Sequence, residues 1–132
     1  MIKVVLDTNI IISAVFWRGL PYEVLRKGVL QEYTMIMSMQ ILEEVVTKLR
    51  NKFQFPEEKI QELIDILLMY SHLVEPNNKF DVVRDKTDNK IIECAFGGEA
   101  NYIVTGDHDL LVMKEFCGIK IVTAREFLAV IK

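Results

Sequence analysis

The chain has 132 residues, of which 51% are hydrophobic and 27% are charged, and its formal net charge is −3. This length suits one domain whose core needs no disulfide or metal support, and the composition is that of an ordinary globular protein. The charge does not indicate a nucleic-acid binder, but it does not exclude one, because binding depends on where Lys and Arg cluster.

The sequence carries no pattern of export or membrane insertion. Asp7 interrupts the apolar N-terminal run early, and no small-residue cleavage site follows it. No apolar stretch approaches the ~20 residues that a spanning helix needs. Cys94 and Cys117 have no metal-ligand spacing and are too few for a disulfide framework. We therefore expect a cytoplasmic protein.

Strand and helix patterns alternate along the whole chain. Alternation of this kind predicts one α/β domain over residues 1–132, with a mostly parallel central sheet of four to five strands and helices on both faces. The predicted strands are 2–6, 33–37, 72–75, 101–105 and 119–122, and the predicted helices are 10–16, 21–27, 39–50, 56–70, 88–96, 110–115 and 124–131.

Two of these helices have specific start signals. Ser38 precedes the helix at 39–50 and is a good N-cap. Thr123 precedes the last helix, and Glu126 follows three residues later, which is the pattern of a capping box. Both helices should therefore begin at these residues.

The first strand pattern ends abruptly in Asp7, Thr8 and Asn9. In open α/β sheets, ligands bind beyond the carboxyl ends of the strands, so Asp7 is predicted at the mouth of such a crevice. The alternative is that these residues only cap the helix that follows, since all three types accept hydrogen bonds from free N–H groups.

A second strand pattern ends in the same way. The apolar run at 101–105 stops at Thr105, and Gly106 allows a tight turn before Asp107. A carboxylate at this position is predicted to reach the same edge of the sheet as Asp7.

Asp88 lies on the inward side of its predicted helix. At about 100° per residue it shares an angular sector with Ile91, Ile92 and Ala95. A buried carboxylate without a partner is unfavourable, so an inward Asp needs a cation, a cap or a proton. The first turn of a helix is expected to help to keep it ionised. The alternative is that Asp88 simply caps its own helix.

The helix at 39–50 contains two candidate acids, Glu43 and Glu44. Each lies about 130° from the centre of the apolar stripe, on opposite flanks. Periodicity does not choose between them, and either one alone is better explained as a solvated surface residue.

Several acids at one sheet edge repel one another unless a divalent cation neutralises them. Carboxylate oxygens select hard ions such as Mg²⁺ or Mn²⁺, which also bind phosphates. Such ions activate water for attack on phosphodiesters. The acids therefore indicate metal-dependent phosphodiester hydrolysis.

Four segments resemble, in order and spacing, the PIN-domain nucleases: 5–9, 38–45, 84–90 and 104–111. The closing segment, 118–127, is similar to the end of the VapC-like branch, the toxins of toxin–antitoxin systems. The resemblance covers essentially the whole chain. It implies a three-layer α/β/α sandwich and a Mg²⁺- or Mn²⁺-dependent ribonuclease with acidic metal ligands.

The resemblance also implies roles for individual residues. It matches Glu44, rather than Glu43, to the glutamate of the family, and Asp109 is an auxiliary or alternative to Asp107. Asp85 is expected to lie near the site, but it is better explained as a loop or cap residue. The acids implied for catalysis and metal binding are Asp7, Glu44, Asp88 and Asp107, and the small polar residues implied to orient them are Thr8, Asn9, Ser13 and Thr105.

The expected activity is endoribonucleolytic cleavage of single-stranded RNA that leaves a 3′-hydroxyl. One rival is a phosphatase or phosphoryl-transfer domain with Asp7 as nucleophile, although the strand lacks a second aspartate two residues later. Another rival is a catalytically silent binding module that keeps the acids for other reasons.

The sequence gives weaker signals for partner surfaces and substrate contacts than for the acids. The helix at 56–70 is apolar all round at its far end, and with Phe53 and Phe55 it suggests a homodimer or an antitoxin-binding groove. Trp17 is a candidate for base stacking, and packing against the loop that it begins or facing a partner is an equal alternative. His108 is better explained as a solvated turn residue. The candidate basic rim consists of Arg18, Arg26, Lys27, Lys48, Arg50 and Lys52.

Overall fold

Six strands make up the central sheet of the computed structural model, which describes residues 1–132. They are β1 (Lys3–Leu6), β2 (Thr34–Ser38), β3 (Ser71–Val74), β4 (Tyr102–Val104), β5 (Glu115–Phe116) and β6 (Ile119–Val122). Their order in the sheet is β3-β2-β1-β4-β6-β5. Neighbouring strands are parallel except β5, which runs antiparallel to β6.

Seven helices cover the sheet. They are α1 (Thr8–Phe16), α2 (Leu20–Val29), α3 (Met39–Thr47), α4 (Glu57–Tyr70), α5 (Asn89–Gly97), α6 (His108–Leu111) and α7 (Ala124–Ile131). Val4, Val5 and Leu6 of β1 are all buried, as a central strand with helices above and below it must be. Thirty buried apolar side chains form one core cluster. The predicted α/β sandwich with a mostly parallel sheet is confirmed.

Both predicted helix starts are present. The Ser38 hydroxyl accepts a hydrogen bond from the backbone N–H of Ile41 at 3.3 Å, so β2 passes directly into α3. Thr123 and Glu126 form the reciprocal capping box that begins α7. These local hydrogen bonds fix where two helices leave the carboxyl edge of the sheet.

Three details differ from the sequence prediction. The helix predicted at 39–50 ends at Thr47 and continues as a π-helical turn, Lys48–Lys52. The helical piece predicted at 110–115 is the single turn of α6, and the residues after it form β5. This extra edge strand raises the count to six, where four to five were predicted. A strand of two residues is too short to show a periodicity of its own.

The sheet grows in opposite directions from β1, with β2 on one side and β4 on the other. Leu6 pairs with Val104, and the backbone N–H of Asp7 donates to the carbonyl of Val104 at 2.9 Å. The residues that follow β1 and β4 therefore lie side by side at the position where α/β proteins hold their ligands.

No helix in the structure has the combination of length and hydrophobicity that a bilayer span requires.

Candidate active site

Asp7 is buried at the carboxyl end of β1, with only 3% of its surface exposed. Its Oδ2 accepts a hydrogen bond from the Thr105 hydroxyl at 2.7 Å, and its side chain makes no capping hydrogen bond to α1. Burial raises the pKa of Asp7, the Thr105 hydrogen bond opposes that rise, and the nearby charges of Asp107 and Glu44 add to it. The Asp7 side chain therefore does not cap α1, which was the alternative interpretation of this residue.

Thr105 links the ends of two strands. This fully buried residue donates to Asp7, and its oxygen accepts from the backbone N–H of Asp107 at 2.9 Å. Asp107 in turn accepts at Oδ1 from the backbone N–H of Asp109 at 2.8 Å, which caps α6. The Asp109 side chain is half-buried and lies outside the group of closely spaced carboxylates.

Asp85, Asp88 and Asp107 form that group. One carboxylate oxygen of each lies within 4.8 Å of those of the other two. The Oδ2 atom of Asp88 is buried and has no hydrogen-bond partner. Since Asp88 makes no side-chain cap to α5, the capping alternative is not supported.

The protonation of Asp88 differs from the sequence expectation. Burial, followed by the proximity of Asp107, Asp7 and Asp85, raises the pKa of Asp88 to about 7. The helix start was expected to help to keep this carboxylate ionised. Three neighbouring acids and the loss of solvent outweigh the helix dipole, so full ionisation at neutral pH needs a cation.

Asp85 was predicted near the site as a loop or cap residue, and it was not included among the acids of the site. It does cap a 3₁₀ turn, Lys86–Asp88, by accepting from the backbone N–H of Thr87 at 3.1 Å and from its hydroxyl at 2.8 Å. These hydrogen bonds lower the pKa of Asp85. The backbone N–H of Asp88 donates to the carbonyl of Asp85 at 3.0 Å, which closes the turn and brings the two residues close together. The sequence signal that could have placed Asp85 in the group is its position three residues before Asp88.

Glu44 faces the crevice, and Glu43 is exposed. The Thr8 hydroxyl donates to Oε1 of Glu44. Oε2 lies 3.2 Å from Nζ of Lys90 and 3.9 Å from Nζ of Lys48. Glu44 is therefore an ion-paired neighbour of the three clustered aspartates, outside their 4.8 Å group.

The predicted orienting residues divide into two pairs. Thr8 and Thr105 donate directly to site carboxylates, as described above. Asn9 is exposed and accepts from Lys48 at 3.4 Å, and the half-buried Ser13 side chain makes no hydrogen bond to the acids. In the predicted basic rim, only Lys48 contacts a site residue, because Arg26, Lys27 and Arg50 pair with glutamates elsewhere.

The predicted aromatic and apolar surfaces are present. Trp17 is 65% exposed and packs on Phe16, whose ring also contacts Phe53 and Phe55. Met69, near the end of α4, is 70% exposed. These side chains form part of the molecular surface.

The donor set at the acidic group fits a hard divalent cation. It consists only of carboxylate oxygens, which are the ligands that Mg²⁺ and Mn²⁺ prefer. Oδ2 of Asp88 is buried with no hydrogen-bond partner, and a cation is the group that would satisfy it without a proton.

Comparisons with known proteins identify the family and the fold. A family profile described as a PIN domain matches residues 3–109. An uncharacterised protein of Methanocaldococcus jannaschii, MJ1680, is 35% identical over 120 residues, which cover 86% of this chain and 76% of that protein. The crystal structure of VapBC2 from Rickettsia felis, bound to a DNA fragment from their promoter, is similar with a TM-score of 0.63 at 17% identity, over 92% of this chain and 98% of that one.

Proposed function

Because this chain belongs to the PIN domain family, we propose that it is a metal-dependent endoribonuclease that hydrolyses single-stranded RNA and leaves a 3′-hydroxyl. The observation that carries the proposal is the group of Asp85, Asp88 and Asp107, in which one carboxylate oxygen of each residue lies within 4.8 Å of the others and Oδ2 of Asp88 is buried with no hydrogen-bond partner. A purely structural site would not keep an unpaired carboxylate oxygen beside two further acids.

The residues that would hold Mg²⁺ or Mn²⁺ are Asp85, Asp88 and Asp107, with Asp7 next to them. Such an ion supplies Lewis-acid activation of water and of the phosphodiester. Thr105 holds Asp7 and the backbone of Asp107 in fixed positions, so these two carboxylates need little reorganisation. Glu44 supports the crevice wall through Thr8.

We further propose that the protein is the toxin of a toxin–antitoxin pair. The proposal is supported by the sequence resemblance to VapC-like toxins and by the fold likeness to the VapBC2 structure. Its partner would then be an antitoxin protein, and the exposed apolar residues of α4, Ile66, Leu68 and Met69, are candidates for a homodimer contact. Sedimentation of the wild type and of Met69→Glu tests the dimer, which is refuted if the wild type stays monomeric at high concentration.

The activity is tested by RNA cleavage with Mg²⁺ or Mn²⁺ added and then removed by a chelator. Asp7→Asn and Asp88→Asn are compared with Asp65→Asn, an exposed α4 residue hydrogen-bonded to Gln61. We expect cleavage by the wild type and Asp65→Asn only with metal, and loss of activity in both site variants. Undiminished cleavage by Asp7→Asn, or cleavage indifferent to the chelator, would refute the proposal.

A further inference from the structure

Two lysine side chains converge on one carboxylate oxygen beside the acidic group. Nζ of Lys90 lies 3.2 Å from Oε2 of Glu44, and Nζ of Lys48 lies 3.9 Å from the same oxygen. The two lysines come from different elements, since Lys48 begins the π-helical turn and Lys90 belongs to α5. Two ammonium groups therefore share one carboxylate oxygen.

Lys90 is in an unfavourable place for a lysine that serves stability alone. It is the second residue of α5, where the helix dipole disfavours a cation. Its side chain is only 18% exposed, so much of its hydration is lost. Features that break local preferences in this way are concentrated at functional sites.

The contacts of Lys90 leave donor capacity unused. An ammonium group has three N–H donors. One is directed to Glu44, and another donates to the backbone carbonyl of Thr87. Lys48 donates to Asn9 at 3.4 Å and remains 34% exposed. Both ammonium groups therefore retain capacity for an additional acceptor.

These lysines line a surface depression that adjoins the acidic group. The depression has a volume of about 440 Å³, and its other lining residues are Gln40, Glu43, Glu44 and Thr47. Lys90 is two residues from Asp88, and Glu44 accepts from Thr8, which directly follows Asp7. A polymer that presents one phosphate to the acids would therefore extend over the lysines.

We propose that Lys90 and Lys48 bind a backbone phosphate of the RNA next to the scissile bond, and that Glu44 is the residue that positions both ammonium groups. Each ammonium group would donate to a phosphate oxygen with the N–H donors that its present contacts leave unused. Lysine is suited to phosphate as a compact point charge. This inference rests on the proposed ribonuclease function and deepens it.

The test measures how RNA binding depends on salt. Each phosphate contact to single-stranded RNA contributes about 0.7 to the slope of log K against log salt concentration. Binding of a fluorescent single-stranded RNA is followed by anisotropy in the cleavage-deficient Asp88→Asn background with Mg²⁺ present. Lys90→Gln should reduce the slope by about 0.7 and weaken binding about fivefold at ~0.1 M salt.

Matched variants separate phosphate binding from a structural role. Lys59→Gln removes the same charge and a similar ion pair, 3.7 Å from Glu62 on α4, and should leave the slope unchanged. Lys90→Arg keeps the charge and should keep the slope. Lys48→Gln should reduce the slope by about 0.7 independently. It therefore tests the proposal even if Lys90→Gln does not fold, which thermal melting reports.

The possible results distinguish the two proposals. If wild type cleaves RNA but Lys90→Gln and Lys48→Gln keep the parental slope, the lysines are only counter-ions of Glu44 and this inference is wrong. If the wild type does not cleave RNA and the Asp88→Asn background does not bind it, both proposals fall.

Discussion

Asp88→Asn should stabilise the metal-free protein, although it removes a candidate metal ligand. The substitution replaces a 9% exposed carboxylate, whose Oδ2 has no partner, with an uncharged amide of nearly the same shape. The new N–H donors would face Asp85 and Asp107, which can accept them. Relief of one buried, unsatisfied group corresponds to about 1–3 kcal/mol. For a domain of this size, that is a rise in Tm of roughly 4–12 °C.

The assay is thermal or denaturant unfolding at neutral pH, first with a chelator and then with excess Mg²⁺. Wild type should gain about 2.7 kcal/mol when Mg²⁺ is present at about 100 times its Kd, and Asp88→Asn should gain much less. The advantage of the variant should therefore shrink or reverse with metal. Asp65→Asn, on exposed α4 surface, should change by less than about 0.5 kcal/mol in both conditions.

Two results would refute this reasoning. One is a metal-free Asp88→Asn protein that is less stable than the wild type, because the carboxylate then has a favourable partner in the native state. The other is a wild-type Tm that does not respond to Mg²⁺ or Mn²⁺, because the acidic group then does not hold an ion.

Three further substitutions or reactions test other parts of the structure. Thr105→Val removes both hydrogen bonds of the Thr105 hydroxyl, so kcat for RNA cleavage should fall by at least about tenfold, as it does when groups that support metal ligands are lost. An unchanged kcat would contradict the positioning role of Thr105. Gly98→Ala would bring a Cβ within 2.6 Å of Ile36, so denaturant unfolding should show about 1–3 kcal/mol of destabilisation, and no loss would mean that the strand moves aside. Burial raises the pKa of Cys94 to about 12, so a thiol reagent in mildly alkaline buffer should modify only the exposed Cys117 until the protein unfolds; rapid labelling of both thiols would contradict that burial.

Most of the fold was predictable because its signals are local. The strand at 119–122 and the helix at 124–131 were predicted with their observed bounds, since a short apolar run and a capping box define them. The short β5 was not predictable in the same way. It depends on pairing with β6 after a tight turn in which Cys117 and Gly118 both have positive φ. Two residues carry no periodicity that would indicate this pairing.

The candidate site was predictable only in part, because some of its features depend on contacts that no local pattern contains. Parallel strands bring their carboxyl ends to one edge, so the meeting of Asp7 with Asp107 followed from the strand pattern. The inclusion of Asp85 depended on a 3₁₀ turn, Lys86–Asp88, that lies just before α5 and was not predicted. The difference between Glu43 and Glu44 depends on a contact with Thr8, 36 residues away, which a helical wheel does not contain.

Glu44 and Asp88 provide the sharpest comparison, because the same chemical change should have opposite effects at the two positions. Glu44 has cationic partners, and Asp88 has none. Glu44→Gln should leave Lys90, only 18% exposed, without its counter-charge, and should destabilise the metal-free protein by about 1–3 kcal/mol. Asp88→Asn should stabilise it under the same conditions. Chemical denaturation of both variants in the presence of chelator measures whether each substitution raises or lowers the free energy of unfolding. Stabilisation by Glu44→Gln would mean that Glu44 belongs to the repelling acids and that its lysines do not compensate its charge.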